Sequence, residues 1–203
     1  MNIAIVGTGN IGGALATKWA LKGHTILLGV NNQNQFKGRG LLNNQNTSVS
    51  SISEAVSKSE VVLIAIPPTA IFEVLPQLNN VAGKIVIDAT NSVRQSPEPY
   101  RTVYHCLMEN TQGDVVKCFN STGFENILNP TYQGKGIDMF MAGESDLAKK
   151  VVSQLASDAG FGSCMDFGKS DKVELLEKFA LCWINLAIMQ GQGRNIAFNL
   201  VRR

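Results

Sequence analysis

A glycine-rich hexapeptide near the start of the chain has the residue types and spacing that best suit chemistry. Six consecutive residues link an apolar run over 2–7 to a helical pattern over 11–22: Gly7, Thr8, Gly9, Asn10, Ile11 and Gly12. In such a pattern the first glycine permits a tight turn, the second lets backbone approach a phosphate, and the third lets the helix pack on the strand. The spacing predicts a dinucleotide bound through its pyrophosphate at the helix N-terminus, the alternative being a turn that only connects strand to helix.

The residues that end the second predicted strand bear on which dinucleotide fits. An acidic side chain there would bind both ribose hydroxyls of NAD and repel the 2′-phosphate of NADP. The sequence instead has Asn31 and Asn32, and residues 1–53 contain no Asp or Glu. An arginine at this point, which would accommodate the 2′-phosphate, is also missing, but the two amides together with Lys37 and Arg39 offer donors and positive charge. We therefore expect NADP (NADPH), with Lys37 and Arg39 equally compatible with a solvated loop.

The elements around this loop alternate between short apolar runs and helical patterns. Strands are predicted at 2–7, 24–30, 61–67, 84–91, 114–120, 137–143 and 161–167, and helices at 11–22, 52–60, 69–79, from Pro97, at 144–159 and at 171–190. Residues 31–48 are interpreted as a loop, with a broken helix in it as the open alternative. Whether the last helix resumes toward residue 200 after Gly191-Gln192-Gly193 is also left open. Continuous Val and Ile runs indicate strands covered on both faces. The pattern predicts an α/β, Rossmann-type doubly wound, mostly parallel sheet, with one domain over 1–203 and a C-terminal helical extension over 170–203.

Composition and charge exclude several classes of protein. The net charge of +2 is too weak to favour nucleic acid. The four cysteines are far apart and only two histidines accompany them, so we expect no metal site and reduced thiols in a cytoplasmic protein. The longest apolar run, 179–189, is about half of the roughly 20 residues that cross a bilayer, and no signal peptide is expected, so we expect no membrane association.

Several motifs in one order resemble a known family. They are IAIVGTGNIGGALA (3–16), VVLIAIP (61–67), KIVIDATN (84–91), VVKCFNSTGFENILNP (115–130), FMAGES (140–145) and LCWINLAIMQGQGRNIAFNLV (181–201). Together they resemble the NADPH-dependent coenzyme F-420 (F420) reductases, a group of predicted dinucleotide-binding reductases, and are also similar to the oxidoreductase domain of the STEAP metalloreductases. The chain departs from the family at Val30-Asn31, where members commonly carry Ser-Arg, and at Ser92, where they often have Pro.

The resemblance implies positions for the rest of the cofactor. It implies a Rossmann fold in which the nicotinamide lies across the carboxyl edge of the sheet. Ile66 and Pro67 would pass beside the cofactor, the segment Asp88–Asn91 would flank the nicotinamide, and Phe119-Asn120 would close the site. Each of these segments is also compatible with a purely structural role: Pro67 with a strand end, Asp88 with a cap and Phe119 with the core.

The expected activity follows from the resemblance and from the scarcity of catalytic groups. An NADP-dependent oxidoreductase would move hydride between NADP(H) and a deazaflavin (F420) or flavin-like acceptor, a reaction that needs ring placement more than acid–base groups, and no catalytic residue is assigned. One alternative is a non-catalytic NADP-binding redox sensor. Another is a small imine or carbonyl reductase, which would want a proton donor, with His105, Tyr104 and Tyr132 as candidates by residue type only.

Two further features bear on relatives and assembly. The glycine loop also resembles that of pyrroline-carboxylate reductase, but only about 35 residues follow the last predicted strand, too few for the helical domain of such enzymes. Residues 179–189 are apolar almost all round, whereas a surface helix should show one apolar stripe. We expect a homodimer through this C-terminal helix, the alternative being burial within the domain.

Overall fold

Eight strands form one sheet in the computed structural model, which describes residues 1–203. In chain order they are β1 (Asn2–Val6), β2 (Thr25–Gly29), β3 (Thr47–Ser50), β4 (Val61–Ile64), β5 (Ile85–Asp88), β6 (Asp114–Cys118), β9 (Asp138–Gly143) and β10 (Ser163–Asp166). A separate hairpin pairs β7 (Thr131–Tyr132) with β8 (Lys135–Gly136). The order across the sheet is β10-β9-β6-β5-β4-β1-β2-β3, and every pair is parallel except β6 with β9. The six strands from β3 to β6 therefore have the Rossmann order 3-2-1-4-5-6.

Seven α-helices connect and cover these strands. They are α1 (Asn10–Leu21), α2 (Ile52–Ser57), α3 (Ile71–Val74), α4 (Val103–Asn110), α5 (Phe124–Leu128), α6 (Asp146–Ala159) and α7 (Val173–Ile184). Side-chain caps begin α2, α4 and α6, where the hydroxyls of Ser51, Thr102 and Ser145 accept backbone N–H groups three residues on. No helix in the structure combines the length and apolar character needed to cross a membrane.

The core consists of two apolar clusters, one on each face of the sheet. Alternate residues of β1 divide between them, with Ile3 and Ile5 in one cluster and Ala4 and Val6 in the other. In the first cluster the buried Trp19 of α1 donates a hydrogen bond from Nε1 to the carbonyl of Leu155 in α6 at 2.8 Å. Because both faces are covered, the central strands are largely apolar, and the predicted doubly wound α/β class is confirmed.

Three predicted elements differ from the structure. Residues 31–48 contain the short 3₁₀ segment Arg39–Asn43, in keeping with a broken helix in this loop, but also the start of β3, a short edge strand whose polar composition hid its parallel pairing with β2. The continuous helix predicted at 69–79 is broken into three short turns, because Pro76 interrupts the helical hydrogen bonding. The helix predicted from Pro97 begins only at Val103, where Thr102 supplies the cap.

The C-terminal extension is helical only in its first part. A π-helical turn, Asn185–Met189, follows α7, and the helix does not resume, since Gly191 and Gly193 have positive φ values of +67° and +83°. The remaining residues pack back on the fold. The Trp183 indole donates to the carbonyl of Ile196 at 2.7 Å, and the backbone N–H of Leu200 donates to Asp138 Oδ2 at 2.7 Å.

Candidate dinucleotide-binding site

The sheet topology brings most of the predicted site residues to one edge. Strands β1, β2, β4, β5 and β6 run parallel, so the loops that follow them all leave the same carboxyl edge. The chain reverses its direction of winding between β1 and β4, which are neighbours in the sheet. In open α/β sheets ligands bind in the crevice at such a switch point. The glycine loop follows β1 at this crevice.

Two glycines of the loop are required by the backbone. Gly7 has a φ of +101°, and a Cβ placed on it would lie 2.2 Å from the carbonyl oxygen of Ala65, after β4. A Cβ on Gly12 would lie 1.9 Å from the carbonyl oxygen of Gly7, so that the close contact of α1 with the loop excludes any side chain. These positions have the turn and the close packing that the glycine spacing predicts.

Gly9 differs from them because nothing lies within 4 Å of the place where its Cβ would stand. It is the N-cap residue of α1, and no side chain caps the helix. The first turn also holds no acidic residue, so the orphan N–H groups and the positive end of the helix dipole face the crevice uncompensated. This space and these donors suit a phosphate anion.

A cleft of about 290 Å³ adjoins the glycine loop between the ends of β1, β2 and β4. Six of the predicted site residues line it: Gly7, Thr8, Asn31, Asn32, Ile66 and Pro67. Ile52, Phe36 and Val74 add apolar walls that were not predicted, since such residues look like core in a sequence. Apolar walls with a few amides suit the adenosine half of a dinucleotide.

Only some of the residues predicted to select NADP lie in the same cleft. Asn31 and Asn32 line the cleft, where Asn32 Oδ1 accepts the N–H groups of Asn34 and Gln35 at 3.0 and 3.3 Å and so shapes the loop. The Arg39 guanidinium donates to the carbonyl of Asn34 at 2.7 Å and does not line the cleft.

Lys37 lies on the other side of the glycine loop. It lines a second cleft together with Thr8, Gly9 and Asn10 near the start of α1, and its carbonyl accepts a hydrogen bond from the Thr8 hydroxyl. Lys37 is therefore the basic residue that the fold brings to the glycine loop. Glu73 of α3 lines the first cleft and was not anticipated.

The predicted nicotinamide segments meet where β5 and β6 end. Asn120 Nδ2 donates to Asn91 Oδ1 at 3.3 Å, joining the two segments. Asn120 is 3% exposed, and its Oδ1 has no hydrogen-bond partner. Phe119, by contrast, is a core residue with a φ of +63°, and its ring packs edge-on against Trp19 at 5.6 Å between centroids. The amide pair, not the aromatic ring, is the polar group that this edge offers.

A buried cluster of charges lies directly behind these segments and was missed in the sequence. Lys117 of β6 is fully buried, and its Nζ lies 3.0 Å from Asp88 Oδ2 and 2.6 Å from Glu177 Oε1. The two carboxyls raise the pKa of Lys117 although burial opposes this, and burial raises the pKa of Glu177. A lysine inside the apolar run 115–118 was the one available signal, because a buried charge needs a partner.

Two of the three side chains considered as proton donors are hydrogen-bonded elsewhere, and the hydroxyl of the third, Tyr104, is buried without a partner. His105 Nδ1 lies 2.8 Å from the Thr102 hydroxyl at the start of α4. Tyr104 is completely buried, which raises its pKa to about 12. Tyr132 donates from its hydroxyl to Asn126 Oδ1 at 2.6 Å. At the predicted nicotinamide segments, Asn120 Oδ1 is a buried side-chain atom without a hydrogen-bond partner.

Three observations test whether these residues fit a dinucleotide. The open space at Gly9 and the uncapped start of α1 suit a pyrophosphate. The unpartnered Asn120 Oδ1 suits an N–H or O–H donor such as a carboxamide or a ribose hydroxyl. The residues present thus fit the group.

Comparison with known proteins agrees with this geometry. Residues 2–92 match the family model described as NADP oxidoreductase, coenzyme F420-dependent. The matched span includes the glycine loop, the cleft beside it and Asn91, and the predicted resemblance to this family is confirmed. The relatives below are named as dehydrogenases or reductases that use or bind NAD(P).

Relatives extend the similarity beyond the matched span. The chain is 30% identical over 141 residues to a glycerol-3-phosphate dehydrogenase [NAD(P)+] of Thermoanaerobacter sp. (strain X514), a match that covers 63% of the chain but only 42% of that relative. A proposed F420-dependent NADP reductase of Arthrobacter sp. FB24 has a TM-score of 0.86 at 22% identity over all of both chains. An imine reductase of Myxococcus stipitatus in complex with NADP+ has a TM-score of 0.72 at 15% identity, covering 95% of this chain and 64% of its own. These two structures share the fold.

Proposed function

We propose that the chain is an NADP(H)-dependent reductase that transfers hydride between NADPH and a deazaflavin, F420, or a flavin-like acceptor. The observation that carries the proposal is the composition of the nicotinamide edge. Its polar groups are the Asn91 and Asn120 amides, while Lys117, Asp88 and Glu177 are paired in the interior. Amide side chains can orient two rings and do not titrate, which suits an acceptor whose own ring takes up hydride and then a solvent proton.

Each part of the chain has a defined role in this proposal. The first turn of α1 binds the pyrophosphate with backbone N–H groups, and Gly9 leaves room for it. Asn31 and Asn32 face the adenosine ribose in the cleft, and Lys37, on the other side of the glycine loop, adds positive charge to this end of the molecule. Asn120 orients the nicotinamide through its unpartnered Oδ1. The preference for NADPH over NADH rests on the absence of an acidic residue after β2.

The test is anaerobic turnover of NADPH with purified protein and F420, followed through the deazaflavin absorbance. NADH, FMN and a cyclic imine serve as parallel substrates. We expect loss of the deazaflavin band with NADPH and little loss with NADH. Turnover of the imine with no change in the deazaflavin would instead establish an imine reductase. Binding of NADPH with no turnover of any acceptor would support a redox sensor.

Assembly is the second part of the proposal. The surface of residues 181–189 exposes Leu186, Ile188 and Met189 by 38, 50 and 55%. We propose that a second copy of the chain covers this surface, because a contiguous apolar patch at a helix end is typical of a self-complementary interface. Light scattering should give a dimer for the wild type and a monomer for Ile188→Lys. A monomeric wild type would contradict this part alone. A cytoplasmic location belongs to the proposal as well, and cell fractionation tests it.

A further inference from the structure

Three ionisable side chains meet inside the protein at the carboxyl ends of β5 and β6. Asp88 and Lys117 are register partners on these neighbouring parallel strands, so both point to the same face. Glu177 reaches them from α7, which packs on that face. Asp88 and Lys117 are 0% exposed, and Glu177 is 5% exposed.

The cluster holds the segment that follows β5. Asp88 Oδ1 accepts the backbone N–H and the hydroxyl of Thr90 at 2.9 and 2.7 Å. Lys117 Nζ donates to the carbonyl of Thr90 at 2.6 Å. Glu177 Oε2 accepts the backbone N–H of Ser92 at 3.1 Å. The residues on both sides of Asn91 are therefore bonded to buried charges, and this fixes where its side chain stands.

This arrangement of buried charges lowers the stability of the folded protein. One ammonium group faces two carboxyls, so the cluster carries an excess negative charge when Glu177 is ionised. Removing such charges from water costs free energy, and their mutual attraction offsets only part of this cost. An apolar or amide side chain at position 177 would avoid much of the desolvation cost. A costly buried group beside a ligand edge indicates a functional requirement.

Glu177 lies where it can act on the pair of amide side chains at the nicotinamide edge. Asn91 accepts a hydrogen bond from Asn120, whose Oδ1 is the unpartnered acceptor. We propose that Glu177 is a positioning residue that, through Ser92 and Lys117, fixes the Asn91–Asn120 pair against the nicotinamide half of the dinucleotide. The inference rests on the proposed function, and it makes α7 part of the nucleotide site, which lies outside the family match over residues 2–92.

The substitution Glu177→Gln tests this with little change of shape. A glutamine has one acceptor oxygen, so it cannot both face Lys117 and accept the N–H of Ser92. It also removes the excess buried charge, and therefore the variant should unfold at the same temperature as the wild type or higher. The matched control is Glu174→Gln on the same helix, where the carboxylate pairs with Arg101 at 2.7 Å on the surface.

Dissociation constants are measured by calorimetry for NADPH and for 2′-phospho-ADP-ribose, which lacks the nicotinamide. In the Glu177→Gln variant we expect NADPH to bind about tenfold more weakly, the loss of about one charged hydrogen bond. Binding of 2′-phospho-ADP-ribose should be unchanged, and Glu174→Gln should bind both nucleotides as the wild type does. A purely structural role would weaken both nucleotides together and lower the unfolding temperature.

The outcomes separate the inference from the proposed function. If the wild type binds NADPH and the Glu177→Gln variant keeps the wild-type ratio of the two dissociation constants, the positioning role is refuted and the proposed function stands. If the wild type binds neither nucleotide, the proposed function is refuted and the inference falls with it.

Discussion

Replacing Gly9 with aspartate should have opposite effects on stability and on nucleotide binding. Gly9 is the N-cap of α1, with φ −76° and ψ −154°, a conformation that any residue adopts. No atom lies within 4 Å of its Cβ position, so the new side chain fits without strain. Aspartate is among the best N-cap residues because its carboxylate accepts the free N–H groups of the first turn. Those are the N–H groups that the account assigns to the pyrophosphate.

The magnitudes follow from this competition. Aspartate at the cap should raise the free energy of unfolding by about 0.5 kcal/mol through the cap and the helix dipole. A carboxylate about 4 Å from a phosphate charge costs about 4 kcal/mol at an effective dielectric constant of 20, and the open crevice lowers this to about 3 kcal/mol. We therefore expect the dissociation constant of NADPH to rise about 100-fold.

Thermal unfolding and calorimetric titration with NADPH measure the two effects in the same preparation. Gly40→Asp is the control, because the substitution makes the same change of charge at a residue that does not line either cleft at the glycine loop. Gly40 also has no atom within 4 Å of its Cβ position, so the side chain fits. That variant should bind NADPH normally. A Gly9→Asp protein that binds NADPH within a factor of about three of the wild type would refute the assignment of the loop to the pyrophosphate.

Further predictions concern the packing of the loop and the buried charges. Gly12→Ala should lower the free energy of unfolding by about 3 kcal/mol in denaturant titrations, because its Cβ would stand 1.9 Å from the Gly7 carbonyl; a loss below about 1 kcal/mol would contradict this packing. Lys117→Met should cost about 3–5 kcal/mol by the same measurement, since it leaves Asp88 and Glu177 buried without a cation, and an unchanged stability would show that the pair is not formed. Burial raises the pKa of Glu177 above 4.5, so its contribution to stability is complete below its unfolded pKa and is lost as the pH rises through the folded pKa. The unfolding temperature of Glu177→Gln minus that of the wild type should therefore increase from pH 4 to pH 8. A difference that stays constant would contradict the raised pKa of Glu177.

The sequence predicts the parts of the fold that depend on local patterns. The continuous apolar runs predict the strands of the sheet to within a few residues, and the glycine spacing predicts the turn at Gly7 and the close packing at Gly12. The edge strand β3 escaped prediction because a short polar strand has no apolar pattern, and its pairing with β2 is set by tertiary structure. The division into one domain over 1–203 with an extension over 170–203 stays a prediction.

The site residues that the sequence did not predict share one property: their place in the site depends on residues that are distant in the sequence. Phe36 and Ile52 look like core residues until the fold shows them lining the adenosine cleft. Lys117 and Glu177 are 60 positions apart, and no local pattern indicates that they meet at 2.6 Å. Arg39 shows the converse, because its charge suited a phosphate in the sequence while the fold bonds it to a backbone carbonyl.

The most direct test of hydride transfer from NADPH to F420 is to label the hydride with deuterium. NADPH deuterated at C4 of the nicotinamide is mixed anaerobically with the protein and F420, and the reduced deazaflavin is analysed by mass spectrometry. We expect deuterium from one of the two C4 positions to appear in the reduced ring, with a primary isotope effect on the single-turnover rate. A reduced deazaflavin that carries only solvent hydrogen, or NADPH that stays unoxidised beside F420, would contradict this expectation.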